Sequence, residues 1–285
     1  MLTNIKLFCR QSLYNIAATL PLLVVSAASS HLYAGSIRVD SLTHEYRINA
    51  GEQQKGSFII TNTSNEAVEI EMKHHDYLPT VGGRTEQPEI GTNPKSNGKW
   101  ITLSPHQTVI PARGKGKVDY VINVPKGTAD GTFWSAFTLL PVVRKAEDSS
   151  KMALYQRTGY VVQVISRVGQ TVPANVNITD LYGRKNPSNE QQEQFIMNLK
   201  NVSATDVPLA SYIEIYSDEG ELITRALGSR RRVYPGTEVT FTFNLEKSIA
   251  SGNYSSLIVL DDGGDNYFGV QKQLVISSDG EHTFN

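Results

Sequence analysis

Alternation with a period of two restricts this chain more than any other feature. Val68, Ile70 and Met72 fall on one side of an extended segment, and Glu69, Glu71 and Lys73 on the other. The pattern returns at Val118, Tyr120, Ile122 and Val124, at Phe195, Met197 and Leu199, and at Val239, Phe241, Phe243 and Leu245. Successive side chains of a strand point to opposite faces, so each segment predicts a half-buried strand. The residues are β-branched or aromatic, which suits a pleated surface. Turn signals such as Asn49-Ala-Gly51, Asp218-Glu-Gly220 and Asp262-Gly-Gly264 separate them. No long stretch has helical spacing. Many short strands at this interval predict an all-β chain of sandwiches or barrels.

An internal repeat says how many. Residues 118–124 lie over 239–245, and without a gap Gly131 then falls on Gly252, Phe133 on Tyr254 and Ser135 on Ser256. Upstream, 58–62 and 195–201 each carry a strand into an Asn turn. One architecture used twice predicts two immunoglobulin-like β-sandwich domains in tandem, 35–168 and 169–285, divided near 169–173. Exposed loops are expected at 78–99 and 184–194.

One strand breaks the half-buried rule. In 127–141, Phe133, Ser135, Phe137 and Leu139 share one side, while Trp134, Ala136, Thr138 and Leu140 share the other. Large apolar residues on both sides predict a central strand of the first sandwich whose outer face is covered or binds something. The long 78–99 segment is expected to fold over that face.

The N-terminus obeys other rules. Lys6 and Arg10 precede an apolar run over 16–29 that ends in small residues, the design of a secretory signal peptide. Residues 1–34 are assigned to it, with cleavage after Ala34; a cut near Ala28 or Ser29 fits nearly as well. An uncleaved anchor is the alternative, opposed by Pro21 in mid-run and by the short apolar span. The sole cysteine, Cys9, lies in this segment, so the mature chain has no thiol, as suits a periplasmic or otherwise exported protein. No stable membrane insertion is expected after cleavage. With 27 basic and 28 acidic residues, nothing points to a nucleic-acid partner.

Chemistry-bearing motifs are sparse. His74-His-Asp76 has metal-ligating side chains but no third ligand at a suitable spacing, so a solvated strand end is the expectation and no metal is assigned. Asp261-Asp-Gly-Gly-Asp265 reads as a hairpin turn because it lacks the ligand alternation of a calcium loop. Arg230-Arg-Arg232 reads as a solvated edge. No nucleophile elbow, zinc helix or phosphate loop is present, so a non-enzymatic protein without cofactors is expected. Trp100 and Trp134 leave sugar stacking as a weaker alternative.

The first domain carries Arg47-Ile48, the strand at 57–62, Trp100-Ile-Thr-Leu-Ser-Pro105, Pro125 and Gly131-Thr-Phe-Trp-Ser135. In this combination the whole mature chain resembles the two-domain periplasmic chaperones of pilus assembly, the PapD-like superfamily, or a wider group of exported tandem immunoglobulin-like proteins. The resemblance implies protein subunits of an envelope or surface assembly as partners. It also implies that the last strand of the first domain adds to a subunit, while two basic residues hold the subunit's C-terminal carboxylate. By position those residues are Arg47 and Arg157. The sequence departs from the pattern at Leu139-Leu-Pro-Val-Val-Arg-Lys145, where one Pro precedes the basic residues.

The residues of that last strand fit the same reading. In 155–167 the only charges are Arg157 and Arg167, and there is no Pro. Edge strands normally carry such guards against pairing. Tyr160, Val162 and Val164 alternate on one face, to fill a client's groove if a client strand adds here. An ordinary last strand paired within its sheet explains the same residues. A structural or adhesive envelope protein without a client is the second reading of function.

Overall fold

The computed structural model describes residues 37–142, 158–170, 172–264 and 267–285. The signal-peptide assignment and Arg157 lie outside the described residues. Strands dominate, with single 3-10 turns at Val81–Gly83 and Gly98–Trp100. Among the described residues, no helix is long and apolar enough to cross a membrane.

The first sandwich is built from β1 (Ile37–Val39), β2 (Thr43–Ile48), β3 (Gln53–Asn62), β4 (Val68–His75), the short hairpin β5 (Leu78–Pro79) and β6 (Thr85–Glu86), β7 (Ile101–Ser104), β8 (Gln107–Ile110), β9 (Lys115–Asn123), β10 (Gly131–Pro141) and β11 (Tyr160–Val168). One sheet runs β1-β3-β9-β7 and the facing sheet β2-β11-β10-β4-β8. The alternating residues meet between the sheets: Phe58 and Ile60 of β3, Val118 and Tyr120 of β9, Ile70 of β4 and Phe137 of β10 are all buried in one core.

The second sandwich contains β12 (Val176–Asn186), β13 (Asn189–Asn201), β14 (Val207–Tyr216), β15 (Leu222–Leu227), β16 (Arg231–Val233), β17 (Glu238–Asn244), β18 (Gly252–Asp261), β19 (Tyr267–Ile276) and β20 (His282–Phe284). Sheet β12-β13-β17 faces β15-β14-β18-β19-β20, with β16 also on β14. Phe195, Met197, Phe241, Phe243 and Ile258 lie in its own core. The 184–194 segment is not a loop: β12 and β13 form one long hairpin that turns at 187–188. Its polar residues pair across the ladder, Arg184 with Gln194 and Lys185 with Glu193. The Asp261 loop joins β18 to β19 as a hairpin.

The repeat in the sequence marks equivalent places. Asn62 and Asn201 end β3 and β13, and both are buried. Asn62 Nδ2 donates to the Glu66 and Ile110 carbonyls at 2.7 and 3.1 Å, and Oδ1 accepts from the Ser64 N–H at 2.9 Å. Asn201 Nδ2 donates to the Thr205 and Val233 carbonyls at 2.8 and 2.9 Å, and Oδ1 accepts from the Ser203 N–H at 2.9 Å. Each amide satisfies backbone groups that a tight corner would otherwise leave unpaired in the interior. Alanine at either position is expected to cost about 2–3 kcal/mol, seen as a lower midpoint in thermal unfolding. N201A is expected to cost more than N62A, because the corner at 203–206 also packs on the first sandwich.

Candidate functional site

The outer face of β10 and β11 is where the sandwiches meet. β10 is the middle strand of its sheet, and Trp134, Thr132 and Ala136 point away from the first core, in register with Ile165, Arg167 and Gln163 of β11. Trp134 is fully buried there. The 78–99 segment covers part of this face, as expected, with Leu78 packed beside Trp134; Tyr77, just before the segment, accepts the Trp134 Nε1–H through its carbonyl at 2.5 Å. Lys95 and Asn97 complete the ladder along Trp134, whose N–H donates to the Lys95 carbonyl at 3.0 Å. The larger cover is Tyr234 from the second sandwich. Its ring stacks on the Trp134 indole at 4.4 Å and 17°, and its hydroxyl donates to Gln163 Oε1. Trp134 is therefore no sugar platform.

Beside this aromatic stack lies an ionic one. Asp206, with a side chain 0% exposed, receives both prongs of Arg167: Nε to Oδ1 at 2.7 Å and Nη2 to Oδ2 at 2.8 Å. Arg232 pairs with the same carboxylate and with Glu45 of β2. Arg167 Nη1 reaches Glu45 Oε2 at 2.8 Å. Thr132 Oγ1 donates to Asp206 Oδ1 at 2.9 Å, and the Thr132 N–H donates to the Ala204 carbonyl at 2.9 Å. Burial by itself would raise the Asp206 carboxyl. The Arg167 fork and the two guanidinium charges outweigh it and hold the group below the usual carboxylate range. A bidentate, charge-assisted pair of this kind fixes orientation as well as distance.

Two glycines permit the approach. Gly131, at φ +136°, brings its backbone so near the second sandwich that a β-carbon would stand 2.8 Å from the Ala204 carbonyl oxygen. Gly169, at φ +66°, turns the chain out of β11, and a β-carbon there would fall 1.9 Å from Asp130 Oδ1. Any other residue would push the sandwiches apart or unseat the turn.

The expected site residues are distributed differently. Arg47 is exposed on β2 and, among the described residues, has no ion-pair or hydrogen-bond partner through its side chain. The residue beside it in the β2–β11 register is Arg167, and that arginine is already taken by Asp206 and Glu45. Val162 and Val164 are fully buried in the first sandwich's own core, and Tyr160 packs on its margin.

The local motifs also resolve. The His74-His-Asp76 strand end is not solvated. His74 Nε2 meets Ser135 Oγ at 2.9 Å and its ring lies 4.3 Å from Phe137; burial first, then the adjacent His75, lower it to about 4. Asp76 is buried and accepts the Gly91 and Asn93 N–H groups at 2.9 and 2.7 Å, and so organises the covering loop. Nor is Arg230-Arg-Arg232 simply a solvated edge, since Arg232 belongs to the buried network. Sequence reasoning missed Asp206, Glu45, Gln163 and Tyr234. The only hints were a charged Arg167 in an apolar strand and the arginine run itself.

Tandem immunoglobulin-like sandwiches joined by a buried aromatic and ionic junction define the class of this protein. No protein-family model and no curated protein matches the chain. Among solved structures it is similar to the YadV chaperone, at 12% identity over 83% of this chain and 99% of that one, with a TM-score of 0.45. It is similar to a chain of the Salmonella enterica SafA pilin–SafB chaperone complex, at 14% identity over 83% and 96%, with a TM-score of 0.45. It is also similar to a chain of the CsuC–CsuE chaperone–tip adhesion subunit pre-assembly complex of Acinetobacter baumannii, at 13% identity over 83% and 98%, with a TM-score of 0.46.

Proposed function

We propose that this chain is an exported, non-enzymatic protein that binds subunits of a surface assembly by strand addition, the role of a periplasmic assembly chaperone. The observation that carries this reading is the open edge of β11. From Gln163 to Val168 the strand has β2 along one side; from Tyr160 to Val162 it has β10 on one side and, among the described residues, no strand on the other. The Gln163 N–H turns toward β2 and donates to the Leu42 carbonyl at 2.9 Å. Alternation then turns the N–H and C=O of Val161 the same way, into the open edge. An uncharged edge with free backbone groups is a template for a second strand.

Because Val162 and Val164 fill the chain's own core, they stiffen the strand while its backbone does the pairing. Arg47, with no side-chain partner among the described residues, would supply a guanidinium for a client carboxylate. It lies four residues beyond Thr43, the β2 partner of Gln163, or about 13 Å along the strand. A bound segment of four or five residues would span from the open edge to that charge.

The test separates backbone pairing from folding. Val161→Pro removes the outward donor without touching a core side chain, and proline is tolerated on an edge. Arg47→Ala removes the charge. With a subunit encoded beside this chain and co-expressed, the Val161 amide is expected to exchange at least tenfold more slowly in the complex. V161P is expected to weaken binding more than tenfold, and R47A to weaken it and flatten its salt dependence. If both variants keep their β dichroism and hold the subunit as the wild type does, strand addition is wrong and the structural-module reading replaces it.

A further inference from the structure

A recess of about 200 Å³ opens between the β5–β6 hairpin of the first sandwich and the β16–β17 edge of the second. Its walls carry Arg84, Arg230, Arg231 and Arg232, and no Asp or Glu. Arg232 is committed to Asp206 and Glu45. Arg84, Arg230 and Arg231 are exposed, and among the described residues their guanidinium groups have no ion-pair or hydrogen-bond partner. The Arg231 head lies over the hairpin tip, 3.5 Å from where a β-carbon on Gly83 would be. Arg230 reaches the rim by Gly263, in a loop where Asp261 and Asp262 already accept the loop's own N–H groups at 2.7 Å.

Three unneutralised guanidinium groups around one recess raise its potential, and the low-dielectric walls made by Tyr77, Tyr234 and Val239 focus that field. The cations come from different elements: Arg84 from the hairpin, Arg231 from β16 opposite, and Arg230 from the residue just before that strand. A planar carboxylate occupies one guanidinium fork, whereas a tetrahedral oxyanion presents acceptors in several directions at once. The volume is below the roughly 300–1,000 Å³ of sites for larger ligands, and corresponds to about six or seven waters at ~30 Å³ each. That is room for one oxyanion and a few waters.

We propose that this recess binds a single phosphate-class oxyanion, free or as the terminal group of a small monoester. The ligand would tie the first sandwich's hairpin to the second sandwich's edge, and so stabilise the junction by binding only the docked state. This site does not depend on strand addition at β11, so V161P should leave it unchanged.

Calorimetric titration of the purified protein at constant ionic strength tests it, with inorganic phosphate, sulfate, glycerol phosphate, acetate and succinate as separate titrants. Saturable one-to-one binding is expected for the first three, at least tenfold tighter than for either carboxylate. R84A and R231A should each weaken phosphate binding about tenfold, and the double variant should abolish it. Phosphate should raise the thermal midpoint of the wild type and not of the double variant. Among the described residues neither arginine makes a native pair, so both variants should fold; R84K/R231K, which keeps charge but loses the forks, should bind severalfold more weakly. Binding of glycerol phosphate without inorganic phosphate would still assign the chemistry, to an esterified source. The proposal is overturned if phosphate and its ester both fail to saturate, if a carboxylate binds as tightly, or if the double variant retains wild-type affinity.

Discussion

Replacing Asp206 with alanine is expected to lower the thermal midpoint of the protein by about 10 °C. The carboxylate is the shared partner of Arg167, Arg232 and the Thr132 hydroxyl, and its removal leaves guanidinium charge facing a buried, unpaired space. Breaking one partner out of such a pair typically costs about 3–5 kcal/mol. In a chain of this size, that converts at ~2–4 °C per kcal/mol. Gly169, Gln170, Val172 and Pro173 of the joint are already exposed, and loss of docking should remove the restraint on them, so protease cleavage there should accelerate in D206A while each core persists. Unchanged melting and unchanged cleavage would show that the ionic network contributes nothing to the junction.

The sign of the pH dependence follows from the same group. Asp206 titrates lower in the folded protein than in the unfolded chain, so its contribution is complete above the ordinary carboxylate range and is lost as pH falls through the folded value. His74 acts earlier. Buried and lowered to about 4 from 6.5, it stays neutral while the unfolded chain takes up a proton. Stability should therefore begin to fall below pH ~6.5 on account of His74 and steepen in the carboxylate range on account of Asp206. A His74→Phe variant should flatten the first phase only.

The second large effect is expected at Trp134. Its indole is fully buried between the sandwiches, stacked on Tyr234 and bonded to the Tyr77 carbonyl. Truncation to alanine leaves a large cavity and an unpaired carbonyl, for a cost of about 3–5 kcal/mol. Since Tyr234 loses its main stacking partner in W134A, adding Y234A should cost less than Y234A does alone. The shortfall in that double-mutant cycle measures the coupling across the junction. Additive costs would mean that the two rings pack independently.

Much of the architecture is legible in the amino-acid order because its causes are local. Alternation at 118–124 and 239–245 needs only the two-residue period of a strand to place Val118, Tyr120, Phe241 and Phe243 in cores. The turns at Asn62 and Asn201 each close on a carbonyl four residues on, at Glu66 and Thr205, so the repeat could be read as one fold used twice, although the same amides also reach the distant Ile110 and Val233 carbonyls. The two-faced strand at Trp134 was legible as an anomaly, and so was the need for a cover. The 184–194 segment misled because its hairpin ladder is made of polar side chains that locally resemble a loop.

What only tertiary structure decided is the identity of that cover and the fate of each charge. Asp206 lies 39 residues from Arg167, and Glu45 lies 187 from Arg232. Nothing in the spacing of residues that far apart distinguishes a buried partner from a solvated one. The same holds for the strand edge. A buried outer face and a buried core face draw on the same apolar residues, and whether an N–H is free depends on which strand arrives beside it. Composition and periodicity thus determined two sandwiches. Docking between them determined that Arg167 is spent on Asp206, while the pairing inside the first sandwich determined that, among the described residues, β2 runs beside β11 only from Gln163 to Val168.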